Sequence, residues 1–233
     1  MLIGLAQIKP SINNIEANIE NHIFWIQQSI NQEVKLVLFP ELSISNYLPK
    51  FCVQNAFTLK DKRLEIFQEL SNIHDISIGL GLPIKSKMGV TISMVLFQKD
   101  KVPYIYSKQF LHEDEFTFFV KDSNRNHFPI SKISPAICYE STIEQHYTSA
   151  SKNGAQLYMV SVAKSINGIS RNRKHLQLVA NKYSMDIAHV NYVGDCGEFT
   201  AGGQSCIINK EGEILAMLNA KEEGLLIYEW EAV

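Results

Sequence analysis

The chain has 233 residues, of which 45% are hydrophobic and 20% are charged, and its formal net charge at pH 7 is -2. These values are ordinary for a globular protein and exclude a disordered chain or a fibrous repeat. Because the basic residues are scattered and no apolar run approaches the roughly 18 residues of a membrane span, neither a nucleic acid nor a membrane is an expected partner. By elimination, we expect a small-molecule partner.

The cysteine pattern and the first residues of the chain indicate the cellular compartment of the protein. The four cysteines form no Cys-x-x-Cys pair and have no zinc-type spacing, and the first residues lack the basic and apolar regions of a secretion signal. We therefore expect a cytoplasmic protein with reduced thiols. The length favours a single domain over residues 1–233.

The first half of the chain alternates predicted strands and helices. Residues 2–8 predict a strand, and isoleucines three and four positions apart between Ile12 and Ile30 predict an amphipathic helix. The apolar run at 35–39 predicts a strand buried on both faces. A helix and three strands are predicted next, at 61–73, 76–82, 90–98 and 103–107.

The second half continues this alternation. Two strand-helix pairs are predicted at 133–138, 142–152, 156–162 and 171–186, and four strands at 187–193, 203–208, 213–218 and 224–230. Helices interspersed with buried strands predict an α/β protein in which layers of helix cover layers of sheet.

Three reactive side chains stand directly after predicted strands, where α/β proteins commonly form their binding crevice. They are the carboxylate of Glu41, the ammonium of Lys108 and the thiol of Cys138. A base, a cation that stabilises charge and a nucleophile together suffice for acyl transfer.

The segments around these residues resemble three motifs of the nitrilase superfamily, the carbon-nitrogen hydrolases, in order and in spacing. They are Phe-Pro-Glu at 39–41, Tyr-Ser-Lys-Gln-Phe-Leu at 106–111 and Ile-Cys-Tyr-Glu at 137–140. Supporting matches span nearly the whole chain, at 4–7, 153–156, 190–194 and 202–205. The resemblance implies a four-layer α-β-β-α sandwich, a homodimer, and a mechanism without a metal or an organic cofactor.

The resemblance also implies the roles of the reactive residues. Cys138 is the expected nucleophile that forms a thioester, Glu41 the general base, and Lys108 the cation that stabilises the oxyanion. The main-chain N-H of Tyr139 is the expected second oxyanion donor. The expected activity is that of an amidase that releases ammonia from a small-molecule amide.

Three further residues are candidates for the site, each with an alternative interpretation. Glu115 corresponds to a second carboxylate of the family that positions the lysine, but within an acidic run it can also be a solvated charge. Lys164 is a candidate for binding an anionic group of the substrate, or a solvated surface lysine. Asn191 either lines the pocket or forms a turn.

Other functions stay open from the sequence alone. A nitrile, an N-carbamoyl compound, or acyl transfer to a nucleophile other than water would use the same thioester chemistry. A catalytically silent interaction protein is the alternative of another class. The run at 112–115 lacks spaced metal-ligand partners, and the Gly-Leu-Gly at 79–81 lacks the third glycine of a dinucleotide loop.

The chain departs from the family pattern in two places. Residues 141–145 lack the proline that many members carry after the nucleophile, and Asn46 stands where glycine is frequent. Asn is the best non-glycine residue for a left-handed backbone. Among the remaining cysteines, Cys206 is expected in the core and Cys196 near solvent. Because the chain ends soon after Trp230, we expect no assembly larger than the dimer.

Overall fold

The computed structural model describes residues 1–122 and 128–232. Its strands are β1 Leu2–Gln7, β2 Leu36–Leu38, β3 Ser77–Lys85, β4 Val90–Phe97, β5 Tyr104–Ser107, β6 Ile133–Ile137, β7 Leu157–Ser161, β8 Asp186–Val190, β9 Val193–Asp195, β10 Thr200–Gly202, β11 Cys206–Ile208, β12 Ile214–Met217 and β13 Gly224–Glu229. Its α-helices are α1 Ile15–Asn31, α2 Pro49–Gln54, α3 Glu65–His74, α4 Glu144–Lys152 and α5 Ile166–Tyr183. Short 3-10 helices span Lys62–Leu64, Glu113–Thr117 and Cys138–Thr142.

Most of the strands form two mixed sheets. The first has the order β13-β1-β2-β3-β4-β5, and the second has the order β12-β11-β8-β7-β6. Each sheet contains three neighbouring parallel strands, β1-β2-β3 in the first and β6-β7-β8 in the second, and its remaining strands are antiparallel to their neighbours. Strands β9 and β10 form a separate two-stranded ribbon.

A core of apolar side chains lies between the two sheets. It joins Leu36 and Leu38 of β2 to Leu157 and Met159 of β7, all with less than 1% of their surface exposed. Because successive side chains of a strand point to opposite faces, Val37 lies on the other side of the first sheet. Strand β2 is therefore buried on both faces, as its continuous apolar sequence predicts.

Helices cover the outer face of each sheet. Ile26 of α1 and Phe67 of α3 pack on the first sheet in one cluster, and Tyr147 of α4 and Leu176 of α5 pack on the second sheet in another. The three apolar clusters thus fill the three gaps between four layers. This confirms the predicted α-β-β-α sandwich.

The observed elements differ from the predicted ones in the second half. The helix predicted at 171–186 begins earlier, at Ile166, where Ser165 caps it by accepting a hydrogen bond from the Gly168 N-H. The strand predicted at 187–193 is two strands, β8 and β9, interrupted at Asn191. Helix α2 was not predicted, because six residues are too few for a periodic pattern.

The described residues contain neither a candidate membrane span nor a candidate metal site. None of the helices within 1–122 and 128–232 is long and apolar enough to cross a membrane. Within the same ranges, no three His, Cys, Asp or Glu side chains are grouped so that they could hold a metal ion.

Candidate active site

Strand ends bring the three reactive side chains of the sequence together. Glu41 follows β2, Lys108 follows β5 directly, and Cys138 follows β6 and begins a 3-10 helix. The Ser161 hydroxyl of β7 donates a 2.9 Å hydrogen bond to the Phe39 carbonyl, which ties the second sheet to the segment that carries Glu41.

Lys108 is the centre of a buried ionic cluster. Its Nζ donates to Glu41 Oε1 at 2.7 Å and to Glu115 Oε1 at 2.6 Å, and at most 1% of each of these side chains is exposed. Glu115 also accepts from the Tyr47 hydroxyl at 2.8 Å and from the His112 N-H at 2.8 Å. Glu115 therefore lies within the cluster and is not a solvated charge.

The cluster holds two carboxylates for one ammonium, and the pKa values reflect this imbalance. Burial raises the pKa of Glu41 above its usual value, against the lowering effect of Lys108, and the nearby charge of Glu115 raises it further. Burial acts to lower the pKa of Lys108, but electrostatic interactions with Glu41, Cys138 and Glu115 outweigh it and the pKa is raised. Lys108 is thus held as an ammonium, while Glu41 has an increased affinity for a proton.

The Cys138 thiol adjoins this cluster. Burial and then the charge of Glu41 raise the pKa of the thiol to about 11, and Lys164 and Lys108 act in the opposite direction. Glu41 and Lys108 are buried residues, whereas Cys138 is partly exposed. With a pKa raised to about 11, the resting thiol is protonated at neutral pH.

The backbone of Cys138 has a conformation that L-residues rarely adopt, with φ at 47°. Strained positions of this kind occur where the surrounding structure fixes a functional side chain. The turn from β6 into the 3-10 helix lies at this residue, and the first N-H groups of a helix have no partner inside it. The N-H of Tyr139 is one of these groups.

One oxygen of Glu41 is not occupied by the lysine. Oε1 accepts from Lys108, whereas Oε2 is buried and has no hydrogen-bond partner of normal length among the described residues. The Cys138 thiol interacts with the same carboxylate and lowers its pKa. A buried acceptor without a partner is unfavourable unless a ligand or a proton uses it.

Gly81 of β3 makes the position of Glu41 possible. A Cβ atom at this glycine would lie 2.3 Å from both the Leu42 nitrogen and the Pro40 oxygen, and 2.8 Å from the Glu41 carbonyl carbon. The Gly81 N-H donates to the Ser43 hydroxyl at 3.1 Å. The segment around Glu41 therefore rests directly on the backbone of β3.

The remaining predicted residues lie near the cluster with different surroundings. Tyr139 is partly exposed, and its ring packs edge-on against His112. Lys164 is partly exposed and close enough to lower the pKa of the Cys138 thiol. The Asn191 side chain is fully buried, and it holds the Lys164 N-H at 2.9 Å, the Lys164 carbonyl at 3.0 Å and the Gly203 carbonyl at 3.0 Å. The substrate-binding roles of these three residues stay predictions.

The loop that contains Cys196 folds back onto the segment after Glu41. The Asn46 side chain donates to the Cys196 carbonyl at 3.0 Å, and Asn46 has the left-handed φ of 62° that its position predicts. Cys196 is fully buried, so the expectation that it lies near solvent is wrong. Cys206 is fully buried among apolar side chains, as expected.

Two residues of the site were missed from the sequence. Tyr47 contacts Glu115, and Glu140 accepts hydrogen bonds from the residues next to Lys108 and Cys138. Tyr47 follows Asn46, and Glu140 ends the Ile-Cys-Tyr-Glu motif at 137–140. No periodicity or spacing identifies their distant partners, Glu115 for Tyr47 and Gln109 for Glu140.

A separate cavity of about 400 Å³ lies beside β5, β6 and α4. Tyr106, Gln109 and His146 are among its lining residues, whereas Glu41, Lys108 and Cys138 are not. The cavity is therefore distinct from the ionic cluster.

Comparisons with known proteins identify the family of the chain. Residues 2–232 match the carbon-nitrogen hydrolase family. A glutamine-dependent NAD(+) synthetase of Aquifex aeolicus is 27% identical over 96% of this chain and 41% of its own length. An apolipoprotein N-acyltransferase of Campylobacter jejuni is 29% identical over 76% of this chain and 41% of its own length. The chain thus spans about two fifths of these curated relatives.

A solved structure shares the fold over nearly all of this chain. It is the NitN amidase of Nesterenkonia sp. AN1, with a TM-score of 0.87, 22% identity, and coverage of 99% of this chain and 93% of that chain. Variants of that amidase were solved with butyramide, and with the acetamide moiety of fluoroacetamide added covalently at the active-site cysteine. By the family match over nearly its whole length, this chain belongs to the carbon-nitrogen hydrolase family of the nitrilase superfamily.

Proposed function

We propose that the protein is an amidase that hydrolyses small non-peptide amides through a thioester on Cys138 and releases ammonia. The observation that carries the proposal is the buried cluster in which Lys108 Nζ binds Glu41 at 2.7 Å and Glu115 at 2.6 Å beside the partly exposed Cys138. The family membership of the chain supports the same chemistry.

In the first half of the reaction, Glu41 takes the thiol proton as the Cys138 sulfur attacks the amide carbon. The resulting oxyanion accepts hydrogen bonds from Lys108 and from the main-chain N-H of Tyr139. Glu41 then gives its proton to the leaving nitrogen, and the carbon-nitrogen bond breaks to release ammonia. A thioester remains on Cys138.

In the second half, water attacks the thioester. Glu41 accepts a proton from the water, and the same two donors hold the second oxyanion. The carbon-sulfur bond breaks, the proton returns to Cys138, and a carboxylic acid leaves. The raised pKa of Glu41 supports this role, since a base with a higher proton affinity matches a weakly acidic thiol better.

Glu115 and Tyr47 complete the arrangement as positioning residues. Glu115 holds the ammonium of Lys108, and Tyr47 holds Glu115. Lys164 and Asn191 are proposed at the rim of the pocket, where Lys164 would bind an anionic group of the substrate. The contacts of Asn191 support a role in positioning Lys164, because its side-chain amide binds both the N-H and the carbonyl of Lys164.

The preference for amides over nitriles depends on the proton route. An amide needs an oxyanion stabiliser and a proton donor for the leaving nitrogen at once, and Lys108 with protonated Glu41 would supply both. Hydrolysis of a nitrile or an N-carbamoyl compound, and acyl transfer, are alternatives that the same residues permit. The same proposal includes a small-molecule amide as the partner, a homodimer and a cytoplasmic location. It also includes a reaction without a cofactor and a single domain over residues 1–233.

The test is the release of ammonia from a panel of amides, N-carbamoyl compounds and nitriles with matched side groups. We expect amides to have the highest kcat/KM, and Cys138→Ala to retain less than about a tenth of the turnover. Cys206→Ala is the matched control, because that thiol is buried in the core. A nitrile that outperforms its own amide across the panel would overturn the substrate class and leave the nucleophile standing.

A silent interaction protein would behave differently in a second assay. A thiol-selective electrophile should label Cys138 much faster than the three other cysteines, which are buried. Uniform slow labelling, together with no ammonia release, would favour the silent protein.

A further inference from the structure

We propose that Glu140 is a positioning residue that joins the ends of β5 and β6 and thereby fixes Lys108 relative to Cys138. This inference rests on the proposed function, because it assigns Glu140 a part in the same reaction. Glu140 is fully buried, and the catalytic steps described above do not use it.

The Glu140 carboxylate binds the backbone on both sides of the site. Oε1 accepts from the Gln109 N-H at 2.6 Å, and Gln109 is the residue after Lys108. Oε2 accepts from the Ile137 N-H at 2.8 Å, and Ile137 is the residue before Cys138. A single side chain thus holds the immediate neighbours of the proposed cation and of the proposed nucleophile.

The sheet topology explains why such a link is needed. Strand β5 is the last strand of the first sheet, and β6 is the last strand of the second. Consequently no ladder of backbone hydrogen bonds joins the two strands that directly precede Lys108 and Cys138. Apolar packing between sheets is non-directional and leaves the distance between such strand ends less defined than hydrogen bonds do.

The link requires a carboxylate and not merely a polar side chain of the same size. The four donors to Glu140 are the N-H groups of Gln109, Phe110 and Ile137 and the hydroxyl of Tyr106. A carboxylate accepts on both oxygens, whereas an amide has one acceptor oxygen and an NH₂ group that only donates. In Glu140→Gln, one of the two strand ends must therefore face a donor instead of an acceptor.

A chain of side chains behind Glu140 supports the carboxylate. The Tyr106 hydroxyl donates to Glu140 Oε2 at 2.8 Å and lies 2.7 Å from His146 Nε2. His146 Nδ1 lies 2.7 Å from the Tyr158 hydroxyl. Burial lowers the pKa of His146 to about 4, so the ring is neutral. With its proton on Nε2, each member of the chain donates towards Glu140, and such chains strengthen cooperatively.

The experiment compares Glu140→Gln with the wild-type protein at pH 8. Burial raises the pKa of Glu140 to about 7, so the wild-type side chain is ionised at this pH. Two quantities are measured: kcat and KM for ammonia release, and the rate of Cys138 alkylation by iodoacetamide, read by peptide mass spectrometry. We expect kcat to fall at least about tenfold with KM within about threefold, and alkylation to change by at least about threefold.

Two variants serve as controls. Glu144→Gln removes a carboxylate four positions on that is 69% exposed, and it should leave both quantities unchanged. Tyr106→Phe removes one donor to Oε2 but leaves both backbone links, so its kcat should fall clearly less than that of Glu140→Gln. If Tyr106→Phe loses as much activity as Glu140→Gln, the backbone link is not the cause and the proposal is overturned.

Failure to fold does not leave the proposal untested. Circular dichroism and thermal unfolding identify a misfolded Glu140→Gln, and Glu140→Asp then replaces it. A carboxylate one methylene shorter cannot reach both N-H groups, so the same loss of kcat is expected. Wild-type kcat in either folded variant refutes the proposal.

A failure of the proposed function would have a different result. In that case the wild-type protein releases no ammonia from any compound of the panel. The alkylation of Cys138 still responds to Glu140→Gln if Glu140 fixes the surroundings of the thiol.

Discussion

Replacing Gly81 by alanine should impair catalysis through the backbone of Glu41, without touching a reactive group. The added Cβ would lie 2.3 Å from the Leu42 nitrogen and from the Pro40 oxygen, whereas real Cβ contacts essentially never fall below 3.0 Å. The segment of residues 40–42 must therefore move away from β3 by at least about 0.7 Å, the difference between these two distances. The contacts are with backbone atoms, so a side-chain rotation cannot relieve them.

The size of the effect follows from the precision that the site needs. Glu41 Oε1 binds Lys108 Nζ at 2.7 Å, and a displacement of this order lengthens or misaligns that hydrogen bond and the proton path to Cys138. Misplacement of a reacting group by about 1 Å lowers rates by about a hundredfold. We expect kcat for ammonia release to fall by about ten- to a hundredfold in Gly81→Ala.

Gly79→Ala is the matched control, because Gly79 lies two residues earlier on the same face of β3. Its Cβ would lie 3.1 Å from the end of the Leu38 side chain, which can rotate, and 3.7 Å from the nearest backbone atom. We expect Gly79→Ala to keep kcat within about threefold of the wild type. Activity is compared per mole of folded protein, with thermal unfolding measured for both variants. Equal kcat values in two folded variants would refute the argument that Gly81 positions Glu41.

The remaining predictions concern charge in the site. Glu41 must be ionised to act as a base, and burial raises its pKa. The fall of kcat/KM at acid pH should therefore have its midpoint above the ordinary glutamate pKa of 4.5. A kcat/KM that stays constant down to pH 4.5 would contradict this. Glu115→Gln should move that midpoint to lower pH, since the charge of Glu115 raises the pKa of Glu41, whereas the exposed Glu113→Gln should not. Lys164→Met should raise KM at least about threefold for amides that carry a carboxylate and leave neutral amides unchanged; an unchanged KM for every carboxylate-bearing amide removes Lys164 from the pocket.

The sequence predicts the layers of the fold because buried strands are continuous runs of apolar residues. Leu36, Val37 and Leu38 are all fully buried, two facing the other sheet and one facing the helices. This pattern predicts a covered strand without knowledge of its neighbours. The order of strands in each sheet is not encoded in such a local pattern.

The reactive residues could be named from the sequence, but their environment could not. Glu115 illustrates the difference, because its acidic neighbours favour a solvated charge whereas the structure buries it against Lys108 and Tyr47. The partner hydroxyl is 68 positions away in the chain. The prediction that Cys196 lies near solvent is wrong for the same reason. A loop rich in glycine favours exposure, but in the fold another loop covers this one.

The buried charges of the cluster should lower the stability of the fold, and this can be measured at Glu41. A buried carboxylate with a raised pKa favours the protonated form in the folded state, so folding takes up protons and stability falls as the pH rises above 4.5 through the folded-state pKa. Glutamine resembles the protonated form. Glu41→Gln should therefore unfold at a higher temperature than the wild type at pH 8, by at least about 2 °C, and this gap should narrow towards pH 4.5.

The same substitution should lower kcat at least about a hundredfold, because glutamine cannot accept the thiol proton. A gain in stability with a loss of activity would indicate that the carboxylate is kept for chemistry and not for folding. A Glu41→Gln variant that is less stable than the wild type at pH 8 would show that the attraction of Lys108 outweighs the burial of the charge. The base would then have a lowered pKa, and the midpoint of the fall of kcat/KM at acid pH would lie below the ordinary range of glutamate.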